Sequence, residues 1–162
     1  MLVDILVMTK VRGDLVNVLV YSLTSSISDL FGVSSPAIIR RIGSALLKRA
    51  ESRRWVPKNL SDPVSSLNEL LQKYKDCGYC DKIVVERDGS EIYIRSYGII
   101  DYERIEKLVR GNYNPCMFAS ALAMAFLSDY FNMSVAMQRL SFKLMPDQKG
   151  SEEVLEVVTV GG

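Results

Sequence analysis

Apolar residues recur along this chain in two periods, and the change from one to the other divides it. In residues 15–31, Val16, Leu19, Leu23, Ile27 and Leu30 repeat at helical spacing, and Gly32 closes the run. After Pro36, Ile38, Ile39, Ile42, Leu46 and Ala50 share one helical face, with Arg40, Arg41, Ser44, Lys48 and Glu51 opposite. After Pro63, Val64, Leu67, Leu70, Leu71 and Tyr74 repeat the pattern, and Gly78 is placed to end it. Ser35-Pro36, Asp62-Pro63 and Asn114-Pro115 each set a capping oxygen before a proline that has no N–H to leave unpaired. From Lys82 the period shortens to two. "KIVVERDGSEIYIRSYG" alternates around Asp88-Gly89, a strong hairpin signal. "DYERIEKLV" then predicts a short charged helix, and "SVAMQRLSFKLM" and "EVLEVVTV" predict a second hairpin joined by "PDQKGSE".

Between the hairpins lies "GNYNPCMFASALAMAFLS", residues 111–128, without one charged side chain. A helix apolar on every side must be covered on every side. Ala119, Ser120, Ala121, Ala123 and Ala125 let neighbouring backbones approach, while Met117, Phe118, Leu122, Met124, Phe126 and Leu127 supply bulk. The expected architecture is therefore α+β in one domain, residues 1–162. It has N-terminal helices, then a four-stranded, mostly antiparallel sheet of two hairpins packed on a central uncharged helix. Residues 1–34 are an N-terminal helical segment, with residues 2–8 open between strand and helix, and residues 35–160 are the core.

Composition removes several function classes. The chain of 162 residues holds 20 Lys plus Arg against 19 Asp plus Glu, which gives no overall polyanion-binding character. Its longest apolar runs, Leu15–Leu23 and Cys116–Leu127, fall short of the roughly 20 residues that span a bilayer. The N-terminus lacks the basic start of a secretory signal, so a cytoplasmic protein is expected. There is no histidine, which removes Ser-His and Cys-His couples, imidazole metal ligands and histidine-ligated haem. No phosphate-cradling glycine loop is present either.

Other local patterns carry candidate chemistry. Cys116, Ser120 and Met124 fall at i, i+4 and i+8, spacing that could line an apolar ligand pocket. Cys77 and Cys80 in "CGYC" have the spacing of a redox dithiol or a disulfide, but Cys77 follows a helix, where the dipole disfavours thiolate. A turn with two small residues is the simpler reading. A zinc site would have to combine them with Cys116 and a carboxylate such as Asp81, so no metal is expected. Between Pro36 and Lys58 seven cations, Arg40, Arg41, Lys48, Arg49, Arg53, Arg54 and Lys58, face one carboxylate, Glu51. That is either a solvated helix face or a surface for an acidic protein. Nucleic acid is disfavoured because Trp55 is the one aromatic among them. Arg49 and Arg53 complicate the pattern, since helical spacing turns them back toward Ile42 and Leu46. The terminal "VVTVGG" is similar to the end of a ubiquitin-like modifier, but three preceding helices do not fit that module.

Three segments together carry a wider resemblance. "SPAIIRRIGSALLKRA", "LLQKYKDCGYCDKIVVERDGSEIYIR" and "NPCMFASALAMAFLSDYFNMSVAMQRLSFKLM" resemble the vinyl-reductase-like small-molecule-binding domain. That superfamily includes the haem nitric-oxide sensor domain and Bet-type subunits of the TRAPP vesicle-tethering complex. Ile42-Gly43, the glycine turn at Gly78 and Cys116 opening a small-residue helix are its most telling pieces. The resemblance implies a hydrophobic-ligand pocket or a homodimer formed through helices. It does not bring metal, haem or a cofactor, because the last hairpin has no cysteine and the chain no histidine. The functional expectation is thus a non-catalytic homodimeric module that binds a small hydrophobic ligand or acts as a protein scaffold. The alternatives are a cofactor-dependent reductase and a basic-helix module that binds an acidic protein or nucleic acid.

Overall fold

Asp62 and Pro63 begin a helix by the chemistry their sequence advertises. In the computed structural model, which describes residues 36–99, 102–111 and 117–158, Asp62 is extended and its carboxylate accepts the Ser65 N–H at 2.7 Å. The described residues give helices α1 (Pro36–Ser52), α2 (Pro63–Asp76), α3 (Tyr102–Arg110) and α4 (Met117–Phe131), and strands β1 (Lys82–Asp88), β2 (Glu91–Tyr97), β3 (Val135–Met145) and β4 (Gly150–Val157). The fold is α+β with an antiparallel sheet. Its described strands lie in the order β1-β2-β4-β3. The chain divides into two compact units, residues 1–35 with 103–115 and residues 36–102 with 116–162. The expected helix over 15–31, the state of residues 2–8, and the caps Ser35 and Asn114 lie outside the described residues.

The Asp62 cap carries a measurable share of stability. The Ser65 backbone N–H, ahead of its hydroxyl, holds the Asp62 carboxyl below its ordinary value of 3.8. Replacing Asp62 with alanine should lower stability by about 1 kcal/mol at neutral pH. Because the folded pKa is the lower one, this contribution is complete above the unfolded value and is lost as pH falls through the folded value. Urea midpoints of the wild type and Asp62→Ala should therefore differ at pH 7 and converge in strong acid. A gap that persists unchanged in acid would show that the carboxylate is not the cap.

Helices α1 and α2 end on the same motif built from different residues. At the end of α2, Gly78 (φ +82°) donates to the Lys75 carbonyl at 2.8 Å and Tyr79 to the Tyr74 carbonyl at 3.2 Å. This is a Schellman cap with glycine in the left-handed position. At the end of α1, Arg54 donates to Glu51 and Trp55 to Ala50, both at 2.9 Å, with Arg54 itself left-handed (φ +58°). A side chain there costs about 1 kcal/mol that glycine would avoid.

The buried stripe of α1 differs from the one the apolar spacing suggests. Ile39, Gly43, Leu47 and Ala50 are buried, while Ile42 and Leu46 are only half-buried at its flank. The face turns because α1 packs along α4 with Gly43 against it. A Cβ on Gly43 would overlap the Ala121 carbonyl oxygen and lie 2.8 Å from its carbon and 3.3 Å from the Ala125 Cβ. Arg49 thereby sits beyond the flank and is exposed, and Arg53 lies past the last helical residue. The expected conflict between these arginines and the apolar face does not arise.

Helix α4 is apolar around its circumference until its last turn, where Ser128 and Asp129 are exposed. From Ala119 to Ala123 every residue is buried, as are Phe126 and Leu127. Its neighbours in the unit are α1, α2, β3 and β4. Helix α2 lies on β1 through Leu67, Leu70 and Leu71, all fully buried, and Gln72 Nε2 donates to the Ile83 carbonyl at 3.0 Å. That bond satisfies an acceptor on the strand that ends the described part of the sheet. Helix α3 carries Glu103 in its first turn and Lys107 and Arg110 in its last, as the helix dipole favours, with Arg110 bridged to Glu106 at 2.9 Å.

Candidate functional site

Strand registers decide which side chains meet. On one face of the sheet Ile83, Ser96 and Ser151 form a row, Val85, Ile94, Glu153 and Phe142 a second, and Ile92, Leu155 and Met137 a third. Apart from Phe142 and Met137, which are half-buried, these residues are buried. Glu153 is the exception in kind, a carboxylate with 2 % exposure among apolar neighbours. The hydroxyl of Ser120 on α4, itself fully buried, donates to its Oε2. Burying a carboxylate is costly unless donors meet it, and this bond meets part of that need.

The residues expected to line a ligand pocket are distributed differently. Ser120 is engaged with Glu153. Met124 is half-buried and packs with Ile42 and Met137 against Ile39 and Ala121. Cys116 lies outside the described residues. Sequence reasoning missed Glu153 as the partner of Ser120.

The opposite face of the sheet holds a polar depression of about 550 Å³, lined by Glu86, Arg87, Asp88, Tyr93, Arg95 and Glu152. Arg95 organises it. Its Nε donates to Glu152 on β4 at 2.5 Å, its Nη1 meets Glu86 on β1, and its guanidinium lies 5.1 Å over the Tyr93 ring. The Glu152 bond leads in holding the Arg95 pKa above its ordinary value. The Tyr93 hydroxyl donates to Glu91, which raises the phenol pKa in turn. Lys82 Nζ lies 5.3 Å over the Tyr97 ring. Arg95 is thus shared between two carboxylates, while Arg87 at the rim donates to the Gly89 carbonyl at 3.0 Å. What the depression offers is half-exposed tyrosine and arginine surface beside Val84 and Val154, residue types that interfaces favour.

The five arginines and one lysine of the basic face, Arg40, Arg41, Lys48, Arg49, Arg53 and Arg54, are all exposed. Arg53 lies 5.5 Å over the Trp55 ring, and Trp55 packs edge-on against Tyr74 at 5.8 Å. Glu51, the one carboxylate of the stretch, accepts the Tyr130 hydroxyl at 2.9 Å and is tied to α4.

Cys77 and Cys80 are free thiols in the turn after α2, Cys77 exposed at the C-cap and Cys80 buried. Burial, then the charge of Asp81, pushes the Cys80 thiol up to about 11. Thiolate is the reactive form, so at neutral pH Cys80 should be nearly inert. Iodoacetamide followed by peptide mapping should label Cys77 promptly and Cys80 only after unfolding. Equal labelling rates in the native protein would contradict this burial. Among the described residues no three His, Cys, Asp or Glu side chains gather as a metal ion would require, and no helix is long and apolar enough to cross a membrane. No protein-family model matches the chain, and no curated protein matches it in sequence.

Proposed function

We propose that this chain is a non-catalytic homodimeric module that works by presenting surface to protein partners, the scaffold form of the TRAPP-like reading. The observation that carries this is the filled interior around α4. Ser120, Ala121, Leu122, Ala123, Phe126 and Leu127 all have 0 % exposure, and the Ser120 hydroxyl is committed to Glu153. A hydrophobic ligand would have to displace that packing, whereas the tyrosine and arginine side of the sheet is already turned outward. The dimer is proposed through residues 15–31, where Leu15, Val18 and Val20 fall off the main apolar stripe and widen it beyond a single contact.

Native mass spectrometry with an absorbance spectrum tests both halves. The expected result is twice the 18.2 kDa chain mass, with no chromophore and no retained small molecule. A clean monomer at micromolar concentration defeats the dimer, and Val18→Glu or Val20→Glu should weaken it. A co-purifying apolar ligand would favour the pocket reading, and a bound chromophore the reductase.

A further inference from the structure

We propose that the outer half of α1 and the turn that ends it form the docking surface for an acidic protein segment. This rests on the scaffold reading and gives it a partner class. Arg40, Arg41, Lys48 and Arg49 surround the solvent side of the helix, and Arg53 and Arg54 extend it past the last turn. The ion pairs of the described residues join Arg95 to Glu86 and Glu152, and Arg110 to Glu106, and none involves these six cations. Glu51, the one carboxylate in residues 36–58, accepts the Tyr130 hydroxyl.

A second, independent observation comes from the backbone. Arg54 occupies the left-handed position of the cap that ends α1, and Gly78 occupies the same position after α2. Glycine takes this conformation without strain, and arginine does not. A cation held where the backbone prefers glycine points to a use for its charge.

The remaining details select among anionic partners. Single-stranded nucleic acid would need free aromatic faces, but Trp55 is covered by Arg53 and packed on Tyr74. Duplex-binding domains are strongly basic overall, while this chain carries a net charge of +1. At physiological salt, fields fade within about 8 Å, so a short acidic segment responds to this patch and not to the balanced whole. An anionic membrane would ask for fully exposed apolar side chains beside the cations, whereas Ile39, Leu47 and Ala50 are buried and Ile42 and Leu46 half-buried. Arg41 and Lys48 are seven residues apart, so acidic side chains about two helical turns apart would match them.

The test measures anisotropy of a fluorescein-labelled oligo-glutamate peptide on the full chain, beside labelled duplex DNA and phosphatidylserine vesicles at equal salt. The peptide should bind, and Arg41→Glu with Lys48→Glu should weaken it roughly tenfold. Arg54→Gly is the discriminating variant. It should raise the melting temperature and weaken the peptide, which a merely structural arginine would not do. The proposal is overturned by no peptide binding, by binding unchanged in these variants, or by DNA or vesicles binding as tightly as the peptide. The native mass is read separately, so a monomer defeats the dimer without touching this surface, and a failed peptide titration leaves the dimer intact.

Discussion

Gly43→Ala should destabilise this protein by roughly 1–3 kcal/mol, the usual cost of overpacking a close contact. In an exposed helix the same change stabilises by about 1 kcal/mol, since alanine is the better helix former. The expected sign is therefore opposite to intrinsic propensity. The reason is the identity of the atoms the new methyl meets. It would overlap the Ala121 carbonyl oxygen and lie 2.8 Å from the carbonyl carbon, both backbone atoms of α4. A side chain could rotate away, but a helix backbone cannot, so α1 and α4 would have to separate along their shared length. Gly43→Val should cost more. Urea denaturation of the three proteins checks the order wild type, then alanine, then valine. A more stable alanine variant would mean that the helices do not meet at Gly43.

What could be read from the sequence was whatever is decided locally. The Asp62-Pro63 start, the glycine after α2 and the Asp88-Gly89 turn each depend on a few adjacent residues, and each is present. The phase of α1 was not local. Ile42 and Leu46 pull an apolar average toward themselves, while Gly43 adds nothing to it. Yet Gly43 marks where α4 comes closest, a fact that belongs to the partner helix. Arg49 conflicts with the apolar face only if that face runs through Ile42 and Leu46. Strand β4 shows the same difficulty. In "EVLEVV" both alternating phases are apolar, so nothing local says that Glu153 turns inward and Val154 outward. Strand β3 adds an irregularity of its own, since Met137 faces Leu155 and Phe142 faces Glu153, so that its pairing with β4 shifts between them. Such a shift is set by the pairing of two strands and leaves no simple period in either.

The second large effect concerns that inward carboxylate. Removing the Ser120 hydroxyl with alanine should cost about 2 kcal/mol, because a hydrogen bond to a buried carboxyl group is lost while the group stays buried. The two residues are 33 positions apart and join α4 to β4, so the loss should appear in cooperative unfolding of the unit and not as local fraying. The companion change separates the bond from the packing. Glu153→Met keeps much of the side-chain volume and removes the need for a donor, so in the Ser120→Ala background it should restore part of the lost stability. In the wild-type background the same change should gain less, because Ser120 is then left without its acceptor. Urea midpoints for the four proteins give the coupling directly. Additive changes would show that Ser120 and Glu153 are only neighbours in the core, whereas a coupling above about 1 kcal/mol would make their bond a fixed tie between the central helix and the sheet.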